Sequence, residues 1–399
     1  MTKHSSQKIF IFTIIWTFSL MPSALSWTWK IRFTTASLFF LFFIATKNLK
    51  INSISLMFLG VCITTPLLSL LNEMFFWGES TVNDFKISLL SNLFFLFFST
   101  TACSLLSKDR DNSLQLFSIN NFTILGVILS LISLQQFFDL FHLNQVYIPN
   151  LAPSDSIHIK NFLTSPFPRT IGTVANPNEF GFQLTLCASA SLFGFFNYIK
   201  KPFYMFSFLL SFIALCLTAS RSSILMLLAI TTVLYFSSKT LRLKFIFIGA
   251  ILTLMISISL FLKKEGFEFK HMNRIMAIAN ISKDNSWNAR KNLYWEFNID
   301  WFIKSPLLGV GPLKTQSPQA SDNEWLLLLR QRGIIGVTAM FLFFTSSITT
   351  RKKQYLYFSW GILLGGSLYM IPAAFISSSS LYPMWGILFF TIGGIKVKS

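Results

Sequence analysis

The chain has 399 residues, of which 53% are apolar and only 12% charged, and its mean hydropathy is +0.58. A soluble domain has about 25% charged residues, and a globule has too little interior to bury this much apolar surface. The composition therefore excludes a soluble enzyme, a disordered chain and a disulfide-stapled secreted module. Lys and Arg residues flanking membrane spans explain the net charge of +18, so we expect no nucleic-acid partner.

Apolar runs long enough to cross a bilayer, roughly 17–25 residues, predict about twelve transmembrane helices and an all-α, polytopic membrane protein. Two pairs of runs are joined by very short turns, so eleven is the alternative count. Lys3 and Lys8 before the first run also fit a signal peptide, but we favour a retained helix. The predicted spans are 9–26, 32–47, 53–71, 87–106, 120–140, 180–198, 203–220, 222–238, 243–262, 334–350, 355–375 and 380–396.

The distribution of Lys and Arg orients these spans. With the amino terminus in the cytoplasm, sixteen of the 33 basic residues fall on the cytoplasmic side and six in the short outer loops. The other eleven lie in one long outer segment, to which the positive-inside rule does not apply. Both termini are therefore predicted to be cytoplasmic.

Two outer segments are too long to be simple connectors, and they define the predicted domain organisation. Residues 1–262 carry nine spans and the outer loop 141–179, residues 263–333 form a cap, and residues 334–399 carry the last three spans. We find no internal repeat of the kind expected for a two-half transporter.

The segment 288–304 within the cap has Leu293, Tyr294, Phe297 and Trp301 at helical spacing. The same stretch also alternates as a strand would, but its length favours an amphipathic helix. We expect this helix to lie on the membrane surface with its aromatic face in the headgroups.

The first candidate site precedes the sixth span, where Arg169 stands close to Asn176 and Asn178. A charged side chain near lipid is energetically costly, so the charged residues that occur there are often functional. The structural alternative is a loop arginine followed by an Asn-Pro turn, with Glu179 placed favourably at a helix amino terminus.

Two further arginines are candidate site residues. Arg221 is the only charge between Lys201 and Lys239 and lies on the outer side between two tightly joined spans. Its structural alternative is an interfacial arginine whose charged end reaches water. Arg290 opens the predicted cap helix, where a solvated surface charge is the alternative.

The stretch 321–333 admits both a structural and a functional interpretation. Ser321 followed by Glu324 fits a helix capping box, and Gly333 fits a helix carboxyl-terminal cap. In the functional interpretation, Asp322 and Asn323 belong to the site. The preceding Gly-Val-Gly-Pro at 309–312 resembles a phosphate loop only weakly, and the histidines and cysteines lack metal-ligand spacing, so we predict no metal and no cofactor.

Taken in order, these motifs resemble the O-antigen ligase and polysaccharide polymerase superfamily of bacterial envelopes. The resemblance is sharpest over 169–181 and 218–336. It rests on Arg-x-x-Gly-x-x-x-Asn-Pro-Asn from Arg169, Thr-x-x-Arg ending at Arg221, Ala-Arg at 289–290, Ser-Pro-Leu-Leu-Gly-Val-Gly-Pro at 305–312, Asp-Asn-Glu-Trp-Leu at 322–326 and Gly-Ile-Ile-Gly at 333–336.

The resemblance implies an enzyme of the bacterial inner membrane whose active site faces the periplasm. The donor would be a glycan on undecaprenyl diphosphate, held by Arg221 and Arg290, because guanidinium binds phosphate bidentately and stays charged. Arg169 is a further candidate for the anion site. The remaining motif residues predicted to bind substrate are Asn176, Asn178, Asn323 and Glu324.

The resemblance also implies a role for Asp322, at the position where the ligases typically carry a histidine thought to activate the acceptor hydroxyl. Asp322 is then a base or an acceptor-orienting group, although a carboxylate with its usual pKa of about 4 is a weak base. An Asp-Asn pair is more similar to the polymerases. We therefore expect an O-antigen polymerase, with a ligase as the second hypothesis and a lipid-linked oligosaccharide flippase as the third. Membrane lipid and a chain-length regulator are candidate partners.

Overall fold

The structure of the protein is a computed structural model. It describes residues 3–21, 26–45, 53–72, 82–106, 113–152, 156–165, 168–198, 201–237, 288, 291–311, 323–348, 353–373, 375–376, 378 and 381–393. The predicted span 243–262 and the predicted catalytic residues Arg290 and Asp322 lie outside these ranges.

Every regular element within the described ranges is helical, as the composition predicts. Short 3-10 turns at Leu140–His142 and Ile148–Asn150 flank α6, and a π-turn at Lys291–Trp295 leads into α11. The α-helices are α1 (Lys3–Leu20), α2 (Ser26–Ala45), α3 (Ser53–Asn72), α4 (Val82–Leu106), α5 (Ser113–Phe138), α6 (Asn144–Tyr147), α7 (Ile157–Thr164), α8 (Pro177–Asn197), α9 (Lys201–Thr218), α10 (Arg221–Ser237), α11 (Glu296–Lys304), α12 (Glu324–Ser347), α13 (Lys353–Tyr369) and α14 (Leu381–Gly393).

Three of the described helices are long and apolar enough to cross a membrane: α3, α5 and α12. Shorter apolar helices occur within α4, α9, α10 and α14. The chain is thus a helical membrane protein, and the count of twelve spans stays a prediction. Helix α5 begins at Ser113, seven residues before the predicted start of the fifth span.

The chain forms two compact units, and each is discontinuous in sequence. The first unit comprises residues 1–29, 114–280 and 352–368, and the second comprises 30–113, 281–351 and 369–399.

In the first unit, α8 packs against both α9 and α10, and its side chains from Phe180 to Phe195 are buried. Small polar residues allow the close approach that membrane helices favour. Ser191 Oγ lies 3.0 Å from Ser207 Oγ, and Ser207 in turn donates to the carbonyl of Thr123 at 2.8 Å. These bonds join α5, α8 and α9 through buried hydroxyls.

In the second unit, α3 packs against α12, and α4 packs against α14. The contact between α4 and α14 is aromatic. Tyr382 stacks on Phe95 with a centroid distance of 4.8 Å, and its hydroxyl lies 2.6 Å from Ser99 Oγ. Aromatic pairs of this kind add about 0.5–1.5 kcal/mol beyond the area that they bury.

Helix α12 is interrupted at Gly333, where φ is 61° and ψ is −175°. The helix resumes at once, and its new amino-terminal N–H groups find acceptors in the preceding loop. The N–H of Ile334 donates to the carbonyl of Pro306 at 2.9 Å, and that of Ile335 to the carbonyl of Leu307 at 3.2 Å. The N–H of Val310 donates to the carbonyl of Arg330 at 2.8 Å. The glycine-rich loop that resembled a phosphate loop therefore supports this helix break.

The helical interpretation of the cap segment is confirmed over Lys291–Lys304, but the expected orientation of its aromatic face is wrong. Trp301 is only 9% exposed and packs with Phe297 against Val310. Residues 297 and 301 are one helical turn apart and share the face that packs on the protein. The large apolar side chains that α11 exposes are Ile299 and Ile303.

Gly333→Ala should destabilise the protein. A Cβ at this position would clash with the carbonyl group of Leu307, and this backbone conformation is essentially restricted to glycine. We expect the free energy of unfolding to fall by at least about 1–3 kcal/mol, measured as a lower melting temperature of the detergent-purified protein.

Gly60→Ala is the matched control for this substitution. Gly60 lies inside α3, and a Cβ there meets no atom within 4 Å. Alanine in a helix is favoured over glycine, so this variant should be as stable as the wild type or slightly more so. Equal melting temperatures for the two variants would contradict the steric argument.

Candidate functional site

The structure places four of the predicted site residues in the first unit and two in the second. Nothing in the described ranges shows where Arg290 and Asp322 lie, so their roles stay predictions. The four in the first unit are Arg169, Asn176, Asn178 and Arg221, and the two in the second are Asn323 and Glu324.

Arg169 ties the loop before α8 to the turn between α9 and α10. Its Nε donates to the carbonyl oxygen of Thr218 at 2.7 Å. Its Nη2 donates to Asn178 Oδ1 at 3.1 Å and to the carbonyl oxygen of Ala219 at 3.4 Å. A cation is favoured there because the carboxyl end of a helix carries partial negative charge. This geometry gives Arg169 a positioning role at the turn.

The turn between α9 and α10 is tight and strained. Ala219 has φ of 48°, in the left-handed region that residues other than glycine rarely adopt. Ser220 Oγ lies 2.8 Å from Ser223 Oγ, and a Cβ on Gly181 would come within 2.8 Å of both serine side chains. The amino-terminal turn of α8 therefore packs directly on the start of α10. Strain of this kind is commonly found at functional sites.

Arg221 is the first residue of α10 and its side chain is half-buried. Anions are stabilised at helix amino termini by the N–H groups of the first turn and by the helix dipole. The guanidinium of Arg221 adds a full positive charge at that position. The arrangement suits an anionic ligand at the start of α10.

Asn176 and Asn178 have local structural roles in addition to the predicted ones. Asn176 is the N-cap of α8, and its Oδ1 accepts from the N–H of Asn178 at 2.9 Å. Pro177 follows at the first helical position, where its lack of an N–H does no harm. The Asn-Pro turn and helix start weighed as the structural alternative are thus observed, and Asn178 additionally accepts from Arg169.

The loop that carries Arg169 is held by Gln136, a residue that the sequence analysis missed. Its Oε1 accepts from the N–H groups of Ile171 at 3.0 Å and Gly172 at 2.9 Å, and its Nε2 donates to the carbonyl of Gly172 at 2.9 Å. The available signal was a pair of glutamines at the end of an otherwise apolar span. Nearby, burial raises the pKa of Tyr147 to about 12, and its hydroxyl donates to Gln135 Oε1 at 2.7 Å.

In the second unit, Asn323 and Glu324 anchor the start of α12. Asn323 Oδ1 accepts from the N–H of Leu326 at 3.1 Å, so Asn323 is the N-cap. The capping box expected from Ser321 is wrong, because Asn323 occupies the cap position and α12 begins at Glu324.

Glu324 is fully buried and binds the chain between α13 and α14. Its Oε2 accepts from the N–H groups of Phe375 at 2.6 Å and Ile376 at 3.2 Å, and its own N–H donates to the carbonyl of Met370 at 2.9 Å. A buried carboxylate is tolerated where N–H donors satisfy it in this way. These contacts indicate that Glu324 positions Met370, Phe375 and Ile376.

Two arginines in α12, the buried Arg330 and the half-buried Arg332, were not predicted as site residues. Arg330 is 4% exposed, and its guanidinium carbon lies 5.8 Å from the centre of the Phe297 ring. Arg332 donates to the carbonyl of Cys62 at 3.2 Å and to Asn92 Oδ1 at 3.4 Å. Charged residues within membrane helices are expensive and are therefore candidates for function. The signal was an Arg-x-Arg pair inside an apolar run.

Comparison with known proteins bears on this site. Residues 206–341 match the family model described as O-antigen ligase. The matched segment is about a third of the chain and contains Arg221, Asn323 and Glu324. It supports the predicted membership of the O-antigen ligase and polymerase superfamily. No curated protein matches the chain.

The O-antigen ligase match begins after the loop that carries Arg169. The turn at 218–221 and the break at Gly333 lie inside the matched segment, whereas Gln136 and the α8 amino terminus lie outside it. The matched segment contains no three His, Cys, Asp or Glu residues that come together as metal ligands in its described part.

Arg169→Gln should loosen the turn between α9 and α10. The substitution removes the charged fork that holds two carbonyls and Asn178, and hydrogen bonds to a charged group contribute about 1.5–3 kcal/mol. We expect a lower melting temperature than in Lys160→Gln, a control that neutralises an exposed cation on α7. An unchanged melting temperature with lost activity would show instead that Arg169 acts on the substrate.

Proposed function

We propose that the protein is a surface-polysaccharide polymerase of the bacterial inner membrane, acting at the periplasmic face. It would transfer a growing glycan from undecaprenyl diphosphate to the non-reducing end of an incoming lipid-linked repeat unit. The observation that carries the proposal is the half-buried Arg221 at the first residue of α10, within the segment that matches the O-antigen ligase family.

In the proposed reaction an acceptor hydroxyl attacks the anomeric carbon of the donor sugar. The bond from that carbon to the diphosphate oxygen breaks, and undecaprenyl diphosphate departs with the bonding electrons. Arg221 and Arg290 stabilise the charge that develops on the diphosphate. Preorganised charges of this kind are usually the largest contribution to such catalysis.

Asp322 is assigned to the acceptor side of the reaction, where it takes the hydroxyl proton or orients the hydroxyl. Its neighbours at the start of α12 both accept from backbone N–H groups, Asn323 from that of Leu326 and Glu324 from that of Phe375. The Asp-Asn pair favours polymerase over ligase, because the ligases resembled by this chain carry a histidine at the position of Asp322.

The ligase is the second candidate, since the matching family model is described by that activity. It would use the same donor with lipid A core as acceptor. A deletion strain distinguishes the two on a lipopolysaccharide gel. We expect core that bears one repeat unit, the product left when polymerisation stops. Bare core with accumulated lipid-linked polymer would instead identify a ligase, and repeat units trapped on the cytoplasmic face would identify a flippase.

Arg221→Ala should abolish long-chain polysaccharide while the protein remains in the membrane. Removal of one preorganised donor lowers the rate by about 10²–10³-fold in comparable sites. Arg221→Lys keeps the charge but loses the planar fork, so we expect an intermediate ladder length. Each variant is expressed in the deletion strain and quantified by immunoblot.

Lys160→Ala removes an exposed cation from α7 and serves as the control for this experiment. It should restore the wild-type ladder. A wild-type ladder in Arg221→Ala as well, at equal protein level, would refute the assignment of Arg221.

A further inference from the structure

We propose that a cavity beside the carboxyl end of α5 is a sugar-binding subsite, which takes one saccharide unit of the glycan. The inference rests on the proposed function and adds to it a site for the carbohydrate. The cavity has a volume of about 390 Å³ and lies entirely within the first unit. Its lining comes from the end of α5, from α6 and α7, and from Pro168.

The cavity wall combines aromatic faces with hydrogen-bonding groups. The rings of Phe137 and Phe138 pack edge to face, with centroids 5.2 Å apart and planes at 90°. Phe162, from α7, adds a third aromatic ring to the wall. A sugar ring has an apolar face of C–H groups and a rim of hydroxyls. Apolar walls with a few placed polar groups are the usual composition of a small-molecule site.

Asp139 and Gln145 supply the polar groups. One carboxylate oxygen of Asp139 accepts from the N–H of Asn144 at 3.0 Å, and the other lies 3.4 Å from His142 Nδ1. A carboxylate has about four acceptor positions, so acceptor capacity remains for hydroxyl groups. Gln145 is exposed and its side chain forms no hydrogen bond to the described residues, which leaves its amide able to donate and accept.

The charge of the lining selects against a phosphate ligand. Asp139 is the one ionisable side chain among the described residues that line the cavity, and it is acidic. A carboxylate repels phosphate but accepts hydrogen bonds from neutral hydroxyls. A sugar therefore fits this lining, and the anionic part of the donor does not.

The cavity is also preorganised. Asn144 Nδ2 donates to the carbonyl of Gln136 at 2.7 Å, and Gln136 holds the loop at Gly172. Asp139 and His142 both have positive φ, 46° and 54°, so the chain turns sharply at the cavity edge. Left-handed backbone at residues other than glycine persists only where the surrounding structure holds it, and it is concentrated at ligand sites.

The cavity adjoins the loop that supports the proposed diphosphate site. Pro168 lines the cavity, and the next residue, Arg169, binds the carbonyls of Thr218 and Ala219 just before Arg221. One short loop thus contributes to the cavity wall and to the turn from which Arg221 projects. This continuity favours a sugar of the substrate over an unrelated small molecule.

The test measures the binding of two probes to the full chain in lipid nanodiscs. The first probe is the repeat-unit oligosaccharide of the producing strain, released by mild acid, and the second is the same oligosaccharide carrying a diphosphate at its reducing end. The variants are Asp139→Asn, which keeps the side-chain shape, and Gln145→Ala. The matched control is Asn161→Ala, an exposed amide on α7 that does not line the cavity.

We expect Asp139→Asn and Gln145→Ala to raise the Kd by about tenfold, as expected when a hydrogen bond worth about 1.4 kcal/mol is lost. Asn161→Ala should bind as the wild type does. If Arg221→Ala weakens only the diphosphate probe while the cavity variants weaken both, the cavity holds a donor sugar. If the cavity variants weaken the free oligosaccharide and leave the Kd of the diphosphate probe unchanged, the cavity holds an acceptor sugar.

A Kd within twofold of the wild-type value for both cavity variants and both probes would overturn the proposal, as would the absence of binding to wild-type protein. The two proposals fail separately. Normal lipopolysaccharide in the deletion strain with cavity-dependent oligosaccharide binding would refute the polymerase and ligase assignments alone. Loss of polymer in Arg221→Ala with cavity-independent binding would refute the subsite alone.

Discussion

The structure depends on one constraint, which is that backbone polar groups near lipid must find partners inside the protein. The constraint is most demanding where a helix ends or breaks, since the last carbonyls and first N–H groups have no partners within the helix. The chain meets it in two ways. At the end of α9 the guanidinium of Arg169 binds two carbonyls, and at Gly333 two loop carbonyls accept from the restarted helix.

The same two places carry arginine side chains, of which Arg221 is the one that the proposed reaction uses. Arg221 follows directly on the turn that Arg169 supports, and Arg330 and Arg332 directly precede the break at Gly333. A break in a membrane helix leaves backbone dipoles that are not cancelled by neighbouring turns, which favours charged ligands at that depth. Helix ends or breaks and arginines thus coincide for a physical reason, because each requires polar partners away from lipid.

The supporting residues come from parts of the chain remote from the matched segment. Gln136 at the end of α5 holds the loop 168–172, and that loop holds the turn before Arg221. The matched segment 206–341 therefore carries the predicted diphosphate-binding residues, while residues outside it position one of them and line the proposed sugar subsite.

Composition and the length of the apolar runs alone determined that the chain is a helical membrane protein. A soluble fold could not bury so much apolar surface, and in lipid a helix satisfies its own backbone polar groups. Local motifs also determined the start of α8 and the interruption at Gly333, since caps and left-handed turns depend on residues a few positions apart. The tertiary structure decided which face of α11 is buried. It also decided which distant segments Gln136 and Arg332 each contact, and which elements line the cavity at Asp139. Contacts such as Arg332 to Cys62, which are 270 residues apart, leave no periodic signal in the sequence. Only the packed chain brings such groups within hydrogen-bonding distance.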